Sequence, residues 1–240
     1  MKEIYIISEL CGQFGGSIRK AEQMILQSKM AGANAVKVQL YDTYRMPGEN
    51  RERWEYLNIN ENQFNHMKDF SDRLGIEFFA SAFHEDRFEW IKKQNLHINK
   101  IASSLLINEF DLCKKMVDSD ILTFCSLGKW KRVYYPFDNS NVLYFHCVCE
   151  YPHYLERAIE LMPKKFDDRL VGYSDHSVGI DACKEAVKRG ATYIEKHFTL
   201  NHNLQSATEG AHICSMDFQQ LTALRTFCDE YELYSDYCNC

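Results

Sequence analysis

Proline is scarce, with four dispersed residues in 240, and no tract rich in glycine, proline and serine interrupts the chain. A linker between domains is therefore not expected, and residues 1–234 read as one domain followed by a tail, 235–240, that lacks a core pattern and is expected to fray. Long apolar runs are missing as well. No stretch approaches the roughly 20 residues of a membrane helix. The first residues, Met1 to Glu9, enter a strand-like pattern directly instead of a charged and then apolar secretion signal, so a cytoplasmic protein without membrane contact is expected. Positive charge is also short: 28 Lys and Arg against 34 Asp and Glu leave a net charge of -6. That balance excludes a general nucleic-acid surface but leaves room for a local basic pocket. Cysteine is plentiful, at ten residues, yet Cys147-Val-Cys149 and Cys238-Asn-Cys240 match no zinc framework of paired motifs. Without a secretion signal these thiols read as reduced and packed as small hydrophobes.

What the chain does contain is a regular alternation. Apolar runs rich in Ile, Val, Phe and Tyr fall near 4–9, 35–40, 77–82, 98–102, 121–126, 142–147, 170–174 and 192–197. Helical periodicity separates most of them, at 17–32, 61–75, 84–94, 108–118, 154–165, 179–190 and 216–231. Eight strands with interleaved helices predict an α/β fold, a (β/α)8 TIM barrel, with a doubly wound open sheet as the alternative. After the fifth strand the helix is missing. The segment from Gly128 to Asn141 carries Pro136, aromatics and turn formers, and it is long enough to cross over as irregular chain while presenting aromatic surface to a partner. The connection 41–60, with Arg45, Arg51, Arg53 and Trp54, is unusually long and is expected to cover a site at the strand ends.

Catalytic groups in such a barrel stand at the C-terminal ends of the strands, so the polar residues ending each apolar run are the candidates. They are Glu9; Lys37 and Gln39; Ser81; Lys100 and Ser103; Ser126; His146; Ser174, Asp175 and His176; and Glu195, Lys196 and His197. In Val36-Lys-Val-Gln39 the lysine and glutamine share one strand face. A lysine facing into a barrel needs an anion, either a ligand or a structural partner such as Glu9. Lys100 and Ser103, with Ser81 and Ser174, can cradle a phosphate or can be an ordinary solvated lysine and capping serines. His176 and His197, separated by one helical stretch, can share a divalent metal or simply be satisfied polar groups.

Taken together these segments resemble the sialic acid synthase family, whose members use phosphoenolpyruvate to make N-acetylneuraminate and related nonulosonates. The matching stretches are Ile7-Ser-Glu-Leu10, Ala31-Gly-Ala-Asn-Ala-Val-Lys-Val-Gln39, Phe79-Ala-Ser-Ala-Phe83, Lys100-Ile-Ala-Ser103, Phe145-His-Cys147 with Tyr151-Pro152, Gly172-Tyr-Ser-Asp-His-Ser177 and Glu195-Lys-His-Phe-Thr-Leu200, in the family's order. The resemblance implies a barrel transferase in which His176 and His197 hold Mn²⁺ or Mg²⁺. It implies a phosphoenolpyruvate pocket of Lys37, Gln39, Ser81, Lys100, Ser103 and Ser174, a Tyr151 contact to substrate, a Glu9 that positions water, and an Asp175 that helps hold the metal shell. The second substrate it implies is an open-chain N-acetylhexosamine-type aldose.

The chain departs from the family pattern at named places. Leu105 stands where the pattern has glutamate, Cys149 where it commonly has asparagine or serine, and Ala207-Thr-Glu-Gly-Ala-His212 replaces a Gly-Pro-Asp-His type segment, leaving Glu209 or His212 to stand in. Synthases of this kind usually carry a C-terminal antifreeze-like domain that helps bind the sugar. Here the sequence stops after the barrel, so the resemblance implies a homodimer or a partner chain to supply that part. Two other functions fit the residues: an aldolase-type lyase with Lys100 or Lys37 as Schiff-base nucleophile, and a non-catalytic or regulatory barrel that binds phosphoenolpyruvate.

Overall fold

The computed structural model describes residues 3–45, 55–202 and 213–238. Arg51, Arg53 and Trp54, and the 207–212 segment with Glu209 and His212, lie outside the described residues. The strands are β1 (Tyr5–Glu9), β2 (Ala35–Leu40), β3 (Glu77–Ala82), β4 (Ile98–Ile101), β5 (Leu122–Ser126), β6 (Val142–Cys147), β7 (Leu170–Asp175) and β8 (Tyr193–His197). All pair in parallel in sequence order, and β8 closes onto β1 with Glu9 beside His197. Closure decides for the (β/α)8 barrel over the open sheet.

The helices are α1 (Ile18–Met30), α2 (Glu61–Leu74), α3 (Glu85–Lys93), α4 (Ser103–Asn108), α5 (Phe110–Val117), α6 (Leu155–Leu161), α7 (Asp181–Lys188) and α8 (Phe218–Cys238). Their ends follow local chemistry. Asn60 opens α2 with a capping box to Gln63, and Gly75, at φ 63°, closes it in the left-handed conformation that glycine adopts without strain. Two expectations change. The helix read at 108–118 is α5, and a short helix not expected from the sequence, α4, precedes it; Glu109, at φ -135° and ψ 55°, leaves the helical region and separates the two. The tail expected to fray from 235 instead continues α8 to Cys238.

Between β5 and β6 no helix forms among the described residues. The aromatics of this connection fold back as packing: Phe137 stacks on Phe110 at 5.3 Å, and Tyr135 stacks on Tyr144 at 4.3 Å. The Tyr144 hydroxyl donates to the Phe137 carbonyl at 2.7 Å, which fixes the turn where a helix would otherwise run. Tyr134 and Val133 remain exposed.

Strand alternation divides the core in two. Ile6, Val36, Val38, Phe78, Ala80, Tyr144 and Tyr173 face the helices, whereas Ile7, Ala35, Phe79, Ile98, Phe124, Phe145 and Val171 fill the barrel interior. Gly172 has no Cβ because one would fall 2.6 Å from the Phe145 ring. This plug closes the lower barrel, so the polar residues above it can open only toward the C-terminal mouth.

Alternation also removes two candidates from that mouth. His146 faces outward and stacks on Tyr173 at 6.0 Å. Asp175 faces outward too, so the expectation that it serves the metal shell is corrected. Its carboxylate pairs with Lys196 at 2.5 Å and accepts from the Tyr173 hydroxyl and from both the backbone N–H and the hydroxyl of Ser177. Burial opposes the charge of Asp175, but Lys196 outweighs it and holds the carboxyl below the usual range. Removing one partner strands the other charge in the helix layer. Asp175→Ala is therefore expected to destabilise the barrel by on the order of 3–5 kcal/mol in urea unfolding. The double variant Asp175→Leu with Lys196→Met is expected to recover much of that loss, and strictly additive losses would contradict the pairing.

Candidate active site

The mouth of the barrel is a cavity of about 110 Å³ lined by inward residues of seven strands and the loops above them. At its base lies a chain of four buried charges. Lys37 Nζ stands 2.5 Å from Glu9 Oε2 and 3.2 Å from Glu195 Oε2, and Lys100 Nζ stands 3.1 Å from the same Glu195 oxygen. Gln39 Nε2 donates to Glu9 Oε2 at 3.1 Å, while the Cys11 backbone N–H donates to Oε1 at 2.7 Å. Each carboxylate is thereby anchored by groups of neighbouring strands.

The four groups are not equivalent. For Lys37, burial is outweighed by Glu195 and Glu9, which raise its pKa and keep it protonated. Burial is the largest influence on Lys100 and lowers its pKa, with Glu195 opposing. Glu195 is buried yet held well below the usual carboxylate range by Lys100 and Lys37. Glu9, in contrast, is raised by burial and by the charge of Glu195 despite its bond to Lys37. Geometry singles out Lys100 as well: its ammonium finds no aligned hydrogen-bond partner among the described residues and sits 3.7 Å over the Phe145 ring. A buried cation with unused donors beside a cavity is a receptor for an anion.

Next to this base stand the two imidazoles, with ring centroids 5.5 Å apart. Burial lowers His176 to about 4 and His197 well below its ordinary value, so both are neutral at pH 7. His176 Nδ1 lies 2.9 Å from the Val148 carbonyl and must donate to it, which leaves Nε2 as the acceptor for the Tyr151 hydroxyl at 2.8 Å. Gln13 reaches His197 Nδ1 at 3.5 Å and Ser215 at 2.8 Å.

Lys37, Gln39, Lys100, Ser103, Ser174, Tyr151, Glu9, His176 and His197 thus converge on one cavity. Ser81 is the exception: it lies beneath the lining, 3.4 Å from Lys37 Nζ, and steadies the lysine instead. Ser174 donates to Glu195 at 2.7 Å. Leu105 is buried in the helix-layer core and does not line the cavity, whereas Ser103 and Ser104 of the same helix do. In the 41–60 connection, Arg45 is engaged with Asp42 and Asp86, away from the cavity.

A model of the NeuB family matches residues 24–236. The chain belongs to the NeuB family. Among its relatives, the N-acetylneuraminate-9-phosphate synthase of Drosophila melanogaster is 28% identical over 97% of this chain and 69% of its own length. The pseudaminic acid synthase of Campylobacter jejuni strain 81-176 is 29% identical over 93% of this chain and 72% of its own. The crystal structure of N-acetylneuraminic acid synthetase from Leptospira borgpetersenii, in complex with citrate, superposes with a TM-score of 0.82 at 28% identity, covering 95% of this chain and 84% of that one.

Several cavity residues of this NeuB-family barrel were not assigned a role by sequence reasoning. Glu195 and Ser126 end apolar runs like the assigned residues, and the same two-residue period that placed Lys37 and Gln39 together could have placed them. Tyr41 and Phe83, stacked at 4.5 Å on the rim, continue the same two-residue period one step beyond the strand ends, past Gln39 and Ser81. Cys147 reads as a core residue yet lines the cavity. Replacing Lys100 with Met is expected to weaken binding of a phosphorylated ligand by about 10- to 100-fold, the loss of one hydrogen bond to a charged group. Calorimetry with phosphoenolpyruvate measures it, and unchanged affinity would show that Lys100 serves only the ion-pair chain.

Proposed function

We propose that this protein condenses phosphoenolpyruvate with an open-chain aldose of the N-acetylhexosamine type, releasing phosphate and a nonulosonate such as N-acetylneuraminate. The observation that carries this reading is the convergence, in a NeuB-family barrel, of a buried lysine with unused donors and a pair of neutral imidazoles on one small cavity. Phosphoenolpyruvate presents two anionic groups. Lys100, Ser103 and Ser126 suit its phosphate, and Lys37 with Gln39 suits its carboxylate. The hydroxyl of Ser174 and the two lysines are already oriented by Glu195, so the pocket is organised before ligand arrives. In the reaction, carbon three of the enolpyruvate joins the aldehyde carbon, water adds at carbon two, and phosphate leaves. Glu9, raised by burial and held in the lining at the base of the cavity, is suited to orient that water and take its proton.

A divalent cation fits the two imidazoles. Both are neutral, and His176 has its ring nitrogens fixed by the Val148 carbonyl so that Nε2 faces the cavity. No cluster of three or more His, Cys, Asp or Glu ligands forms among the described residues; His176 and His197 would hold the ion, and Mn²⁺ or Mg²⁺ would complete its shell with further oxygen ligands. When bound, such an ion supplies Lewis-acid polarisation of the aldehyde. Tyr151, which is 46% exposed and bonded to His176 Nε2, would turn from that nitrogen toward the sugar.

Two wider readings stay with this proposal. A cytoplasmic location accords with the free thiols of Cys113, Cys125 and Cys228. No helix of the described residues is long and apolar enough to cross a membrane. Schiff-base chemistry narrows to Lys100, because Lys37 is held protonated whereas burial lowers Lys100. Borohydride with a carbonyl substrate distinguishes the two routes, and the condensation route predicts no trapped adduct at Lys100.

Incubation with phosphoenolpyruvate, Mn²⁺ and a panel of N-acetylhexosamines is expected to release phosphate, and EDTA is expected to abolish the release. Phosphate from none of the panel, with folded and metal-loaded protein, contradicts the reading. His197→Ala is expected to lower metal affinity and turnover together, by at least the roughly 10–100-fold that loss of an outer-shell partner costs. Retained turnover would remove the ligand role.

A further inference from the structure

Two sulfurs adjoin the anion pocket in a way that the condensation does not use. Cys147 ends β6 inside the cavity, and Cys149 follows in the next loop, half-buried. Their Sγ atoms are 3.9 Å apart, and Cys149 Sγ is 3.0 Å from the hydroxyl of Ser103. Space is kept for the pair: a Cβ on Gly128 would lie 2.5 Å from Cys149 Sγ and 3.2 Å from Cys147 Sγ, so any larger residue there would displace the Cys149 sulfur and crowd that of Cys147. Cys149 also lines a second opening of about 330 Å³, beside Lys131 and His146, which gives a small solute a route that does not pass through the mouth.

We propose that Cys149 and Cys147 form a peroxide-reactive dithiol whose oxidation to a disulfide alters the phosphate side of the site. Cys149 is the attacking thiol. Hydrogen bonds from Cys147 and from Ser103, with the positive charges of Lys129 and Lys131, lower it to about 6 against the cost of burial. Burial instead raises Cys113 to about 12 and Cys228 to about 12. Thiolate character and access together select the reactive cysteine. In the first step the Cys149 thiolate attacks one oxygen of hydrogen peroxide, forming an S–O bond as the O–O bond breaks. The departing hydroxide takes a proton to leave as water, and Cys149 is oxidised to the sulfenic acid. In the second step Cys147 sulfur attacks the sulfenic sulfur and its thiol proton leaves with the hydroxyl as water, so one peroxide is reduced and one disulfide formed.

The consequence follows from the distances. A disulfide holds its sulfurs about 2.05 Å apart, so the Cys149 sulfur must swing from Ser103 toward Cys147. Ser103 then loses its partner, and Cys147, whose sulfur already lies 3.7 Å from His176 Nδ1, brings the disulfide beside a proposed metal-holding residue. The predicted link to phosphoenolpyruvate binding rests on the function proposed above, whereas the thiol chemistry does not.

The test treats the reduced full-length protein with equimolar hydrogen peroxide, alkylates it and maps cysteines by peptide mass. Expected is an intramolecular Cys147–Cys149 disulfide, reversed by dithiothreitol, while Cys113, Cys125 and Cys228 still alkylate. In Cys147→Ser, dimedone should label Cys149. Phosphoenolpyruvate or inorganic phosphate should slow the oxidation at least about tenfold by occupying the pocket beside Ser103. Wild-type protein in which both thiols still alkylate, or in which oxidation spreads evenly over all cysteines, overturns the dithiol. A disulfide whose rate ignores both ligands overturns its placement against the phosphate. Since none of these readouts needs turnover, failure of the condensation assay would leave them decisive.

Discussion

The barrel mouth is organised by one interaction, the buried chain Glu9, Lys37, Glu195 and Lys100, in which two carboxylates and two ammonium groups alternate. Taking such charges out of water costs several kcal/mol per ion, and pairing at these distances roughly offsets it. The chain therefore contributes little net stability. Its effect is positional: each charge is held by the next, and removing any one leaves a neighbour buried without compensation. Lys100, at the end of the chain with a single carboxylate, keeps donors to spare, which makes it the group that a phosphate can engage. Glu195 is then the internal counter-ion that an incoming anion must displace in part, which keeps two lysines charged in a cavity of this size.

That chain depends on the plug below and the lock behind it. Phe79, Phe124 and Phe145 fill the barrel and keep water from reaching the charges from beneath. Asp175 and Lys196, the sequence neighbours of Ser174 and Glu195, turn the other way and pin β7 to β8 from the helix side. Alternate residues of the same two strands thus carry separate duties, one set facing ligand and the other fixing the register that aims the first set. His176 and His197 stay neutral for the same reason, because the burial that the plug and the lock enforce disfavours their protonated forms.

Much of this was legible in the sequence, for physical reasons. Strands that are covered on both faces are apolar throughout, so their eight runs stand out, and a polar residue at the end of such a run has few places to be except the mouth. Lys37 with Gln39, Lys100 and His197 were found that way. Other residues resisted because their roles are set by partners distant in sequence. The residue period of two was applied to β2 but not carried through β7, where it would have turned Asp175 outward, or through β8, where it would have brought Glu195 in. Glu109 separates two helices with an unremarkable side chain and a non-helical backbone, and nothing in composition signals that. The cysteines divide: Cys113, Cys125, Cys183 and Cys228 pack as the small hydrophobes expected, whereas Ser103, Gly128, Lys129 and Lys131 give Cys149 a polar setting assembled from two segments distant in sequence.

The central claim is that the cavity joins phosphoenolpyruvate to an aldose with cleavage at carbon two, and not that it merely binds or hydrolyses the phosphate ester. The most direct measurement is the isotopic composition of the phosphate released in ¹⁸O-enriched water, with and without the N-acetylhexosamine. The account predicts unlabelled phosphate, formed only when the aldose is present, because water attacks carbon and the bridging oxygen leaves with phosphorus. Phosphate carrying ¹⁸O, or released at the same rate without aldose, would contradict it.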